Sequence, residues 1–123
     1  MAIIGWKLDI QERTRLLEIF PPAWPHVIAD HVTLGTSDSV KIELHSEVKA
    51  LIVGEADDGI GLQALVVAIN GTHERPDGGT FHITWSLDSN AGRRPVESNE
   101  VLAKIGWHLL VSSIPVCVMP SLL

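Results

Sequence analysis

A chain of 123 residues has room for one core, since single domains typically hold about 100–150 residues, so residues 1–123 are read as a single domain. Apolar residues make up 46% of the chain and charged residues 20%, enough apolar surface to offset the entropy of ordering the backbone, which excludes a disordered chain. The net charge of −6 argues against tracking of long nucleic acid, whose affinity rests on Lys and Arg neutralising successive phosphates, and leaves a small phosphorylated nucleotide or an RNA end as the compatible partner.

In chain order, Ile3 to Leu8 reads as a short strand, after which the apolar period lengthens. Ile10, Leu16, Leu17, Ile19 and Phe20 fall near helical spacing, with Asp9 placed to cap the helix. Pro21 and Pro22 stop it, because proline lacks the backbone donor and disfavours helix at the residue before it. Pro21 to Pro25 is then a rigid loop leading into Val27 and Ile28. Strand signals follow at His31–Leu34, Val40–Val53, Leu62–Ile69 and Phe81–Leu87. The later ones are separated by Gly and Asp clusters short enough for antiparallel connections.

Ser98 to Lys104 reads as one more helical turn, capped by Ser98 or Asn99, and Leu109 to Val118 as the last strand. The apolar stretch from Ile105 to Leu123 is broken by His108, Ser112, Ser113, Pro115 and Pro120, so a buried strand and tail are expected, with no membrane partner. Met1 to Ile10 is too short an apolar stretch for a secretory signal. Cys117, the only cysteine, sits between Val116 and Val118 as an expected small buried hydrophobe, and a reducing, cytoplasmic setting follows. The fold class is therefore α+β, an antiparallel sheet-rich domain with one main helix.

One short repeat carries chemistry. His31-Val32-Thr33-Leu34 and His82-Ile83-Thr84-Trp85 share the pattern His, apolar, Thr, apolar. Side chains alternate on a strand, so His31 and Thr33 share one face while Val32 and Leu34 share the other, and the second copy behaves alike. Side by side, the two strands would bring two imidazoles and two hydroxyls to one face.

That set suits in-line attack at phosphorus. One group must take a proton from the nucleophile and another must give one to the leaving oxygen, and histidine populates both protonation states near neutral pH. The threonine hydroxyls can donate to non-bridging phosphate oxygens. The scheme requires neither metal nor cofactor. A single such site is better explained as a half-buried strand histidine with threonine supplied by β propensity; two copies in six histidines are harder to explain that way.

The duplicated motif resembles the signature of the two-histidine (2H) phosphoesterase superfamily. Its flanks, Phe20-Pro21-Pro22 with Trp24-Pro25 and then Arg94-Pro95-Val96-Glu97-Ser98-Asn99, are similar to the cyclic phosphodiesterase domains of fungal tRNA ligases and their small stand-alone relatives. The similarity runs from about Leu16 to about Leu102. It implies a pseudo-symmetric two-lobed fold with a central cleft and hydrolysis of a cyclic phosphate, either a nucleoside 2′,3′-cyclic phosphate or a cyclic RNA end. It also implies that His31 and His82 are the catalytic pair and that Thr33 and Thr84 grip phosphate.

Further candidates are weaker. Trp24 could stack on a nucleobase, although an aromatic between prolines more often packs on its own loop. Arg93 and Arg94 could pair with a terminal phosphate, or simply form a solvated turn. Ser98 and Asn99 could border the pocket, or merely cap a helical turn. His73 and Glu74 sit in a Gly- and Pro-rich loop and could touch substrate, although exposure alone also suffices. Local positive charge also falls at Arg75. Two competing readings remain: a nucleotide- or RNA-end-binding module without turnover, and a metal enzyme using His31, His45 and His82.

Overall fold

The computed structural model describes residues 3–36 and 48–123. In chain order these form β1 (Ile3–Lys7), α1 (Ile10–Ile19), β2 (His26–Val27), β3 (His31–Thr36), β4 (Ala50–Asp57), β5 (Leu62–Ile69), β6 (His82–Leu87), α2 (Ser98–Lys104), β7 (His108–Val116) and β8 (Met119–Leu122). Two antiparallel sheets result, one in the order β3-β1-β8 and the other β2-β6-β5-β4-β7. The domain is thus α+β and sheet-rich. His45, and the part of the expected Val40–Val53 strand before Val48, lie outside the described residues.

Apolar patterning explains the layering. β5 is buried along its whole length because it is the central strand of the larger sheet and both its faces are covered. Leu65, Val67 and Ile69 face the main core with Ile83 and Trp85 of β6, against Trp6, Val32, Leu16 and Phe20. Ala64 and Val66 face the other way, onto Val101 and Leu102 of α2. The helix α1 is capped as its sequence predicts, with Asp9 Oδ1 accepting from the Glu12 N–H at 2.7 Å. Its apolar stripe is narrower than expected, because Ile10 and Ile19 are exposed. At 100° per residue they lie roughly 90° to either side of the direction set by Leu16 and Phe20.

Three expectations are corrected. The helical turn expected over Ser98–Lys104 forms as α2, but its N-cap is Glu97 rather than Ser98 or Asn99, and no side chain caps it. The C-terminal stretch is not a buried strand and tail. β7 is an edge strand with Leu109 and Val111 exposed, and the tail returns as β8 along β1. Cys117, between these strands, is exposed rather than buried. Among the described residues, no helix is long and apolar enough to cross a membrane.

The element that positions the site is the path from β2 to β3. β2 pairs with β6, and the pairing continues as the Ile28 and Ala29 N–H groups donate to the Trp85 and Thr84 carbonyls at 2.9 and 3.0 Å. At Ala29 the backbone turns through φ 44°, and the chain leaves that sheet. The Leu8 N–H donates to the Asp30 carbonyl at 3.0 Å, and from His31 the strand pairs with β1. Arg13 of α1 closes the corner, with Nε donating to the Ala29 carbonyl at 3.0 Å and Nη2 to that of Ile28 at 3.4 Å.

β1 carries a bulge between Ile4 and Gly5, and Gly5 lies opposite Thr33. A Cβ on Gly5 would overlap the Val32 carbonyl oxygen and stand 3.0 Å from Thr33 Cα, both backbone atoms of β3. Gly5→Ala is therefore expected to destabilise the domain by about 1–3 kcal/mol, as overpacking does, read as a lower urea midpoint with an unchanged slope.

Candidate functional site

β3 and β6 are not hydrogen-bonded neighbours; they belong to different sheets and meet where the chain crosses between them. The crossing brings the two motifs to one cleft of about 420 Å³, lined by His31 and Thr33 from β3 and by His82 and Thr84 from β6. Strand alternation sends Val32 and Ile83, both fully buried, into the core behind them. The repeat therefore presents its polar half to the cleft and its apolar half to the core.

Each imidazole is held through Nδ1. His82 Nδ1 lies 2.8 Å from the Thr80 carbonyl oxygen, which can only accept, so Nδ1 carries the hydrogen and Nε2 is left with the lone pair when the ring is neutral. His31 Nδ1 lies 3.0 Å from Asp30 Oδ2, and a carboxylate imposes the same arrangement. The surroundings differ. His82 is 9% exposed, and its burial holds it below the ordinary imidazole range; the Thr80 carbonyl pulls the other way, while the positive charges of Arg75 and of His31 add to the depression. His31 is about one-third exposed.

The hydroxyls differ too. Thr84 Oγ1 lies 2.7 Å from Ser98 Oγ and 3.3 Å from the Pro95 carbonyl. Ser98 is fully buried and does not line the cleft; it braces Thr84 from behind and does not cap α2. The Thr33 hydroxyl has no hydrogen-bond partner among the described residues.

Of the other candidates, Asn99 lines the cleft, and Trp24 and Arg94 do not. The Trp24 indole donates to Asp57 Oδ1 at 3.1 Å and its backbone N–H to Ser86 Oγ, which ties it to the far end of β6. The Arg94 backbone N–H donates to Glu97 Oε2, closing the turn Pro95–Glu97, and its side chain is exposed. Arg93 spends its guanidinium on Asp58 at 2.6 Å and Glu97 at 3.2 Å. His73 packs edge-on against Trp107. Among the described residues, no three His, Cys, Asp or Glu side chains are gathered as metal ligands.

Arg75 is the cleft residue that sequence reasoning left outside the site. It sits in the β5–β6 connection, folded back by the hydrogen bonds of Arg75 N–H to the Gly79 carbonyl and of Gly78 N–H to the Arg75 carbonyl. The Pro76-Asp77-Gly78-Gly79 turn just before His82 was the available signal, since a hairpin there returns Arg75 toward the strand that carries the histidine.

The depressed His82 fixes a sign. Between its lowered folded-state value and the ordinary value of 6.5 the unfolded chain binds more protons, so stability rises with pH across that window. The wild type is expected to lose stability as pH falls below 6.5, and His82→Gln to lack that part of the loss, read as urea midpoints at several pH values.

No family model matches this chain, and no curated protein or solved structure matches it either.

Proposed function

We propose that this chain is a phosphoesterase of the two-histidine kind, hydrolysing a cyclic phosphate such as a nucleoside 2′,3′-cyclic phosphate or the cyclic end of an RNA. The observation that carries the reading is the convergence of both His-x-Thr faces on one cleft, each imidazole engaged through Nδ1 on an acceptor. In this reading the three-stranded and five-stranded sheets are two pseudo-symmetric lobes, each contributing one motif.

The chemistry follows from the asymmetry. His82, buried and kept neutral, takes a proton from water through Nε2 as the water oxygen bonds to phosphorus. The bond from phosphorus to one ribose oxygen breaks on the opposite side, and the imidazolium form of His31 gives that oxygen its proton. Thr33 and Thr84 donate to the non-bridging oxygens, stabilising the charge that builds on them. Both proton transfers are supplied by side chains of this chain, which is why the reaction is expected to proceed with chelator present.

The test is product formation from the four nucleoside 2′,3′-cyclic monophosphates in chelator, comparing wild type with His31→Ala and His82→Ala. Each imidazole contributes on the order of 10²–10⁴ in rate as a general acid or base, and each variant is expected to lose at least that factor while remaining folded. Full activity in either folded variant would sink the reading. Nucleotide binding without product in the wild type would favour the alternative, a binding module without turnover.

A further inference from the structure

The cleft holds a cation that the two-histidine scheme does not use. Arg75 lines it beside His82, its side chain only 11% exposed. Nε donates to Asp77 Oδ1 at 2.8 Å, and Nη2 donates to Asn99 Oδ1 at 3.1 Å. Asp77 is itself fixed, accepting from the Gly79 N–H at 2.9 Å, and Asn99 Nδ2 donates to the Val96 carbonyl at 3.1 Å. Both holders line the same cleft. One long edge of the guanidinium is thus committed to protein. Nη1 and the second N–H of Nη2 have no partner among the described residues, and these form the fork that matches two phosphate oxygens.

Gly79 leaves room for the guanidinium to lie against the turn. A Cβ there would stand 2.5 Å from Nη2 and 3.0 Å from Cζ, so the absent side chain is what lets Arg75 lie against the turn. A cation pinned at one edge, open at the other and beside a general base is arranged for an anion bound between the two histidines.

We propose that Arg75 contacts the reacting phosphate in this cleft, its terminal fork taking the non-bridging oxygens, with Asp77 and Asn99 as positioning residues. The proposal deepens the phosphoesterase reading and rests on it for the cleft's being a phosphate site. Arg75 would be a third phosphate contact beside Thr33 and Thr84, and the only one with a full charge to set against the charge that builds on phosphorus. Its field also acts on His82, whose neutral form it favours. The same residue would then grip the anion and keep the base ready. Asn99, a pocket-border candidate, would act through Arg75.

The experiment measures binding of inorganic phosphate and of adenosine 2′-monophosphate by calorimetry, and the His82 titration by NMR, in wild type, Arg75→Ala, Arg75→Lys and Gly79→Ala. Folding is checked by the amide spectrum. Losing hydrogen bonds to a charged group should weaken both ligands on the order of 10–100-fold in Arg75→Ala, with Arg75→Lys in between because a point charge replaces the fork. Gly79→Ala, which keeps the arginine but displaces it, should fall with Arg75→Ala. The His82 titration should move up when the Arg75 charge is removed, a shift that a merely structural arginine on the far side of the loop would not produce.

The outcomes separate the two readings. Arg75-dependent phosphate binding in a protein that hydrolyses neither cyclic nucleotides nor a cyclic RNA end upholds Arg75 as the phosphate contact and replaces the hydrolase by the binding module. Affinities within about twofold of wild type in folded Arg75→Ala overturn the inference, whether or not hydrolysis is seen. Absence of phosphate and nucleotide binding in the wild type overturns it as well.

Discussion

The corner at Ala29 governs the rest of the structure. Up to that residue the chain runs along β6 in the larger sheet, and from His31 it belongs to the smaller one. A non-glycine residue at φ 44° costs on the order of 1–3 kcal/mol, so such a corner persists only where its surroundings hold it. Arg13 supplies that hold: a hydrogen bond from a charged group contributes about 1.5–3 kcal/mol, and the 3.0 Å bond to the Ala29 carbonyl alone is of the required size. The Ala29 N–H meanwhile donates to the carbonyl of Thr84. The backbone two residues before the first motif is therefore tied directly to the backbone of the second.

From that tie follows the cleft. The alternation of each strand decides what faces the gap between the two sheets. Val32 and Ile83 are buried behind, so His31, Thr33, His82 and Thr84 must face forward. The core and the site are the two sides of the same strands. A substitution that slipped either strand by one residue would put histidine into the core and valine or isoleucine into the cleft, so hydrophobic burial sets the register of the chemical groups.

The near-symmetric motifs acquire unequal surroundings from unequal burial. His82 lies on a strand flanked by β2 and β5, and its Nδ1 meets a backbone carbonyl; His31 begins its strand, is more open, and meets the Asp30 carboxylate. Thr84 is braced by Ser98 from α2, whereas Thr33 has no such brace among the described residues. The larger sheet with its helix thus supplies the rigid, desolvated half of the site, and the smaller sheet supplies the open half.

Sequence by itself determined the local elements and the residue chemistry. The Asp9 cap, the Pro21-Pro22 stop, the strand Leu62–Ile69 and the repeated His-x-Thr pattern are all written in short-range signals, because capping, proline sterics and side-chain alternation act within a few residues. Tertiary structure alone decided which strands share a sheet, that the last strands lie exposed at edges, that Trp24 turns to Asp57, and that Arg93 and Arg94 stay out of the cleft. Each of those depends on partners far along the chain or on the path of a turn, as when α2 delivers Asn99 to Arg75, and no local pattern encodes such a meeting. The sequence named the paired His-x-Thr groups; the crossing at Ala29 gave them a common cleft.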